Sequence, residues 1–586
     1  MTPHSGFYGL FDRSGRVRRE QFPALGFPQP QQASGPFWST AWSADGNKGI
    51  SHSEGIHDLI FLGELYNAPA LRRQLDTPDD FSLGQLLLLA FKRWSTDYVL
   101  HLDGQFVLAL RHSDQLHLYR DGSGAQNLYY APRQDGQIAF ATQLDTLFRL
   151  PGMEKRLAHP SLHEYLRLLE IAAPNTIYEG VSALEAGHLL GWAVHEHSSR
   201  RPTADKGTHP APSFAEALNT LDDLLQHSVE QRLQNASRPA AFLSGGVDSS
   251  LLCALASRSH PNLTAVTVGF DHARLDETPI AQQVAQHLGI RHQVLRFTRQ
   301  DSLQAFEAFA RNAEQPMGDP AIPPTLLAFE HGKSHFDAVL DGSGADESCG
   351  AMPPRHVRIG VEYAARLPAT MRRAVAGAMR HLPGLASYTP ILDFEHPAEL
   401  MLRWHGFPQA EIEALCGEPV SFEHTQFYRT FARFPRPAHF ERYSALLDAL
   451  TSDRLHHAAA ITGLAVRYPY LDRAVDSFIR ALPVEYRYQP TEPKRLLRAL
   501  LARHVPRNLW DTPKHGFDFP LQEFLCAEDF QLVRRYLLNG HWAQWQLLSP
   551  GRVSEYGRRF IAGDQSLMFR VWALVGLSAW LEWHFD

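Results

Sequence analysis

Cysteine is scarce in this chain of 586 residues: Cys253, Cys349, Cys416 and Cys526 stand far apart and form no CxxC pair. That spacing speaks against a cysteine zinc site and against a secreted disulfide framework. No charged-then-apolar leader opens the sequence. The densest apolar run, LGQLLLLAFKRW, is about half the length of a bilayer crossing and reads as a buried helix. Positive charge is not in excess: the formal net charge is −7, so no strong field is available to hold nucleic acid non-specifically. Internal repeats and low-complexity segments are also missing. These absences predict a cytoplasmic protein with neither a nucleic-acid nor a membrane partner.

What is there is ordinary globular composition, with hydrophobic residues at 44% and charged residues at 20%. The length exceeds the roughly 250–300 residues at which one core stops growing, so two or three domains are expected. Residues 1–195 read as short alternating strands: DLIFLGELY, QFVLALRH, QLHLYRD, NLYYAP and QIAFAT. Helical stretches intervene near 83–93 and 160–170, which predicts a layered α+β domain. Residues 196–212, with almost no apolar content, read as a linker. Ser213 then begins a second domain, 213–586, as an N-cap with Glu216 completing a capping box. Phe214, Leu218, Leu221, Leu225 and Val229 share one helical face. From 238 to 300 strands alternate with helices, and FDAVLDGSG adds a further strand-to-turn, which predicts a doubly wound, mostly parallel α/β sheet; beyond about 355 the chain reads as mainly helical.

AFLSGGVDSSLLCALA, residues 241–256, carries the strongest chemical signal. A strand ends at Leu243, Ser244-Gly245-Gly246 turn, and a helix begins near Asp248-Ser249-Ser250. Glycines let backbone N–H groups approach an anion, and a helix N-terminus adds partial positive charge. Hydroxyls at 244, 249 and 250 can donate to phosphate oxygens. There is no GxxxxGK[ST], so this is not a Walker A loop. It resembles the SGGxDS loop of the PP-loop ATP pyrophosphatases, which cleave between the α- and β-phosphates and adenylate a substrate. A bare glycine turn is the alternative.

Two further elements support the ATP reading. AVLDGSGADESCGA, residues 338–351, ends a strand in a glycine-rich turn carrying Asp346 and Glu347. Asp248 and Asp346 are suitable oxygen ligands for Mg²⁺ against pyrophosphate; a surface acidic turn is the alternative for the second. TEPKRLLRALLARHVPRNLWDTPKHGFDFPL, residues 491–521, places Lys494 and Arg498 one turn apart on an expected helix, with Lys514 in the loop after it. Cations there can neutralise departing pyrophosphate, though Arg498 also reads as a solvated helix charge.

With these elements the chain resembles the asparagine synthetase B family over nearly its whole length. GELYN, LDGQFVLAL, RDGSGAQNLYYA, FATQLDTLF and TIYEGVSALEAGHLL are similar to its class II glutaminase domain, of the Ntn type. LSGGVDSS, GSGADES, AVRYPYLD and EPKRLLRALL are similar to its synthetase domain. The resemblance implies that Leu243, Ser244, Gly245, Gly246, Asp248, Ser249, Val268 and Gly342 line the ATP site. It implies Mg²⁺ on Asp248 and Asp346, and phosphate contact and transition-state stabilisation by Lys494.

The departures carry as much information. Working glutaminases of this class have cysteine at position 2, where this chain has Thr2 followed by Pro3. Leu62 stands where the family has an oxyanion-hole asparagine, and Ser34 replaces, on a looser alignment, an arginine that holds the glutamine carboxylate. One lost oxyanion donor costs about 10²–10³ in rate, so the expectation is no glutaminase activity. In the synthetase half the loop reads DGSGADE where asparagine synthetases read SGEGSDE. Asp341 replaces serine, and Ser343 replaces the glutamate of the ammonia chemistry, which is tyrosine in β-lactam synthetases.

Without glutamine-derived ammonia, the amine comes from free ammonia, a second substrate, or the molecule that carries the carboxylate. Relatives lacking the cysteine often use the last route, which gains effective molarity of roughly 7–11 kcal/mol. Among them a lasso peptide cyclase is favoured. It joins the N-terminal amine of a leader-free precursor peptide to an Asp or Glu side chain, with a leader peptidase and a leader-recognition protein as expected partners. RIGVEYAARLPATMRRAVAGAMRHLPG, residues 358–384, with Arg366, Arg372, Arg373 and Arg380, reads as a cradle for such a peptide or as a solvated helix face. His457 and Asp453 are possibilities for the amine's base, and Arg467 and Lys514 for site support. An ammonia-dependent asparagine synthetase, a β-lactam-type cyclase and an inactive peptide-binding protein remain as alternatives.

Overall fold

In the N-terminal half, apolar alternation becomes two antiparallel sheets packed face to face. The computed structural model describes residues 6–12, 31–34, 38–43, 49–133, 136–192, 197–200, 211–270, 276–350, 352, 357, 358, 360, 363–379, 382, 392, 394–401, 406–434, 439–449, 454–511 and 519–586. The strands are, in chain order, β1 Gly6–Asp12, β2 Gln31–Ser34, β3 Trp38–Ser43, β4 Gly49–Glu54, β5 His57–Leu65, β6 Gly104–His112, β7 Gln115–Arg120, β8 Tyr129–Pro132, β9 Gln137–Ala141, β10 Ser182–Ala183, β11 Leu189–Trp192 and β12 His197–Arg200. They form one sheet in the order β10-β8-β9-β1-β3-β2 and a second in the order β12-β11-β7-β6-β5-β4.

Strand β5 shows why the sheets stack. Side chains alternate across a strand, so Ile60 and Leu62 join Phe7, Phe11, Trp38 and Val107 between the sheets, while Leu59 and Phe61 face outward. There they meet the helix Leu83–Trp94, whose Leu86, Leu87 and Phe91 are buried and whose capping box is formed by Ser82 and Gln85. The result is the layered α+β domain expected for residues 1–195. One boundary differs: the expected linker 196–212 begins with β12, which pairs with β11. HSSR carries no apolar residue because it is an edge strand, so its pattern resembles a linker's. Residue 196 and residues 201–210 of that linker lie outside the described residues.

The second domain opens with the helix Phe214–Leu233 and the expected Ser213–Glu216 capping box. Five parallel strands follow: β13 Pro239–Phe242, β14 Thr264–Gly269, β15 Arg291–Arg296, β16 Ala338–Leu340 and β17 Val466–Arg467, in the order β15-β14-β13-β16-β17. Ala240, Val266 and Val339 face one core, and Ala241, Ala265 and Leu340 the other. Both faces are covered by helices, as parallel sheets require. The helix Met568–His584 is buried along most of its length, with Trp572 and Trp580 donating indole N–H groups to the carbonyls of Gly318 and Ala313 at 2.9 Å each. Strand order runs outward in both directions from β13 and β16, so a crevice forms beyond their C-terminal ends. Among the described residues no helix is long and apolar enough to cross a membrane.

Candidate active site

Leu243, the residue after β13, is buried; its N–H donates to the Val266 carbonyl at 2.9 Å, and its own carbonyl accepts from the Thr267 hydroxyl at 2.6 Å. Half-buried Val268 lies farther along the same β14 strand. The turn Ser244–Gly246 then reverses into the helix Val247–Ser259. Gly245 has φ +77°, and a Cβ there would stand 2.7 Å from Ile280 Cγ2, so only glycine fits. The Ser244 N–H donates to Ser249 Oγ at 3.1 Å, the Ser249 hydroxyl donates to the Gly246 carbonyl at 3.3 Å, and the Gly246 N–H donates to Ser244 Oγ at 3.3 Å. These bonds hold the loop in shape. No side chain caps the helix, which leaves its first N–H groups for an anion. Ser250 is a correction: its hydroxyl is fully buried and belongs to the core side of the helix, not the phosphate loop.

The loop after β16 closes the crevice. The Asp341 N–H donates to the Arg467 carbonyl at 3.0 Å, and the Ser343 N–H and hydroxyl both donate to Asp341 Oδ1, at 2.9 and 2.6 Å. A Cβ on Gly342 would stand 3.2 Å from Asp248 Cβ, so this loop lies directly against the phosphate loop. The helix Ala345–Cys349 follows and presents Asp346. Tyr470, on the segment after β17, donates its hydroxyl to the Asp248 carbonyl at 3.0 Å. Cys349 behind the site is buried, and burial pushes its thiol up to about 12, which makes it inert.

Lys494 joins the two loops. Its Nζ lies 2.5 Å from Asp248 Oδ2 and 2.5 Å from Asp346 Oδ1. Burial opposes its charge, but the two carboxylates outweigh burial and hold the ammonium well above its ordinary pKa. Lys494 is not inside a helix, as the sequence suggested; it is the residue before Arg495–His504, in left-handed conformation at φ 55°. Such strain in a non-glycine residue persists only where its surroundings enforce it, as at functional sites. Lys494 Nζ occupies the position where the two carboxylate oxygens converge, and Asp248 Oδ1, buried with no hydrogen-bond partner, is the spare acceptor. Two aspartates with a spare acceptor fit a hard divalent cation that completes its shell from phosphates and water. Among the described residues no cluster of three or more His, Cys, Asp or Glu could hold a metal.

Other expectations fare differently. Arg498 pairs with Asp511 and stacks over the Trp510 ring at 5.2 Å, so it is a structural cation and not a site residue. Arg372 is buried over the Phe394 ring and donates to the carbonyls of Leu367, Leu392 and Phe394. It holds its own segment together and does not face a peptide. Arg366 and Arg373 are exposed, and Arg373 lies on the helix Ala369–Met379. His457, Arg467 and Leu62 all line a cavity between the domains. Lys514, Asp453, Arg380 and Thr2 lie outside the described residues, and of Ser34 only the backbone, in β2, is described. Tyr470 and Thr267 were missed, because nothing in their spacing marks a tyrosine or threonine that orients a neighbouring loop.

Comparison with known proteins finds matches to both domains. A family model described as asparagine synthase matches residues 220–582, and one described as a glutamine amidotransferase domain matches residues 41–202. The chain is 27% identical over 555 residues to a putative glutamine-hydrolysing asparagine synthetase of Mycobacterium tuberculosis, covering 89% of this chain and 84% of that one. It is 23% identical over 519 residues to glutamine-hydrolysing asparagine synthetase 1 of Bacillus subtilis, covering 84% and 80%. Among solved structures, the glutamine phosphoribosylpyrophosphate amidotransferase of B. subtilis matches at 11% identity and a TM-score of 0.22, covering 50% of this chain and 75% of that one.

Proposed function

The chain belongs to the asparagine synthase family of ATP-dependent carbon–nitrogen ligases that release AMP and pyrophosphate, and from that premise we propose that it closes a macrolactam within a peptide. In this reading a side-chain carboxylate of a leader-free peptide attacks the α-phosphorus of ATP and pyrophosphate leaves. The peptide's own N-terminal amine then attacks the acyl carbon, an amide forms and AMP leaves. Ser244, Ser249 and the first N–H groups of the helix Val247–Ser259 receive the phosphates. Asp248 and Asp346 would hold Mg²⁺, which would supply charge neutralisation at the pyrophosphate. Lys494, already seated between those aspartates, adds a fixed positive charge where negative charge develops.

The observation that carries the reading is the state of the amine supply. Leu62, where an oxyanion donor is expected, is an apolar side chain buried between the two sheets at 4% exposure and cannot donate to an oxyanion. Ser343, where the ammonia-handling glutamate is expected, is bonded to Asp341. In this reading neither end handles ammonia, and an amine carried by the substrate is the economical source. Expected partners are a leader peptidase and a leader-recognition protein. The test is loss of one water from a candidate linear peptide, dependent on ATP and Mg²⁺. Aspartate-dependent ATP–pyrophosphate exchange in its place would favour the asparagine synthetase activity after which the relatives are named.

A further inference from the structure

Between the two domains lies a partly open cavity of about 300 Å³, lined by none of the phosphate-loop residues. One wall comes from the N-terminal domain, including Leu62, Glu64 and Gln126, and the other from the helix Arg454–Thr462 and β17, including Ala459 and Arg467. Cross-domain bonds pin these walls. Arg467 pairs with Glu64 at 3.0 Å, and Gln105 Nε2 donates to the Val466 carbonyl at 3.1 Å. The Tyr129 hydroxyl and the Leu144 N–H donate to the two carboxylate oxygens of Glu314 at 2.8 and 2.6 Å. The cavity is therefore a fixed feature of the junction and not a gap between loosely docked domains.

Its size suits an occupant larger than ammonia. A water-sized molecule occupies about 30 Å³, so a passage for ammonia needs a small fraction of this volume, while ligand pockets begin near 300 Å³. Its position brings one wall next to the loop that carries Gly342. Arg467 in the cavity wall lies beside β16, and its carbonyl accepts from Asp341, the residue before the Gly342 that packs on Asp248. The lining mixes carboxylates (Glu64, Asp145, Glu314) with cations (Lys333, Arg149, Arg467) and carboxamides, which suits an amine and peptide bonds better than an apolar group. Resting on the macrolactam reading, we infer that this interdomain cavity seats the amine-bearing N-terminal residues of the peptide. The former glutaminase face thereby serves as one wall of the acceptor site.

Trp substitutions that fill the cavity from opposite walls, Ala459→Trp and Gln126→Trp, test this in the full chain with a linear peptide that the parent enzyme cyclises. Hydroxylamine supplies a small alternative nucleophile that captures the same acyl-adenylate. Both variants are expected to lower the ratio of ring closure to hydroxamate by about 10²-fold, the cost of misplacing a reacting group, with melting temperatures like the parent's. If either folded variant keeps the parent's ratio, the cavity assignment is wrong. If the parent forms hydroxamate from the peptide but no ring, or neither product from any peptide, the macrolactam reading fails first.

Discussion

Lys494 Nζ stands at equal distances, 2.5 Å, from Asp248 Oδ2 and Asp346 Oδ1, and so ties together two loops that are about a hundred residues apart in the chain. Lys494→Ala is expected to lower kcat for AMP formation by about 10²–10³, the usual cost of one preorganised electrostatic donor. Lys494→Arg restores the charge but not the fit of a compact ammonium between two carboxylates, and is expected to recover little. Steady-state pyrophosphate release checks both.

Arg498, four residues on, gives the opposite expectation. It is engaged with Asp511 and Trp510 and does not reach the site. Arg498→Ala is expected to retain kcat and to lose at most about 1 kcal/mol of stability, as partly exposed pairs do. A loss of activity matching that of Lys494→Ala would return Arg498 to the site.

The metal pair makes a third case. Chelation by EDTA is expected to abolish ATP–pyrophosphate exchange, and added Mg²⁺ to restore it. Asp248→Asn and Asp346→Asn each remove one charged oxygen ligand, so both variants are expected to need more Mg²⁺ for half-maximal exchange. An unchanged Mg²⁺ requirement in both variants would remove these residues as ligands.

The phosphate loop depends on the backbone of Gly245. Gly245→Ala would place a Cβ 2.7 Å from Ile280 Cγ2 at φ +77°. It is expected to cost about 1–3 kcal/mol, and ATP is expected to lose its ability to raise the melting temperature. Thermal unfolding with and without ATP measures both.

These outcomes separate what the chain's spacing revealed from what it could not. Leu243 to Ser249 were legible because a strand, a glycine turn and a helix start must be contiguous. The packing of β5 was legible because alternation of Ile60 and Leu62 with Leu59 and Phe61 is a local pattern. β17 was not, since two residues are too few to show a period. The fates of Arg372 and Arg498 were not legible either. Each depends on a ring, Phe394 or Trp510, that no helical spacing relates to it. The Arg467–Glu64 pair joins different domains, and only the folded chain brings it together.

That junction has a pH signature. Burial raises the Glu314 carboxyl from 4.5 to about 7. Between those values the native state binds more protons than the unfolded chain, so stability falls as pH rises through this window. Glu314→Gln cannot titrate there. Its melting temperature is expected to fall less between pH 5 and 7.5 than the parent's, by an amount worth about 1–3 kcal/mol. Identical slopes for the two proteins would show that Glu314 does not titrate in that range.

The account's central claim is that the attacking amine arrives on the substrate. The most direct measurement incubates the enzyme with ATP, Mg²⁺ and a linear core peptide, without glutamine or ammonia, and follows peptide mass and AMP together. The prediction is one water lost from the peptide per AMP formed, with no loss from a peptide acetylated at its N-terminus. AMP formed only when aspartate and ammonia are supplied, with asparagine as the product and the peptide unchanged, would contradict it.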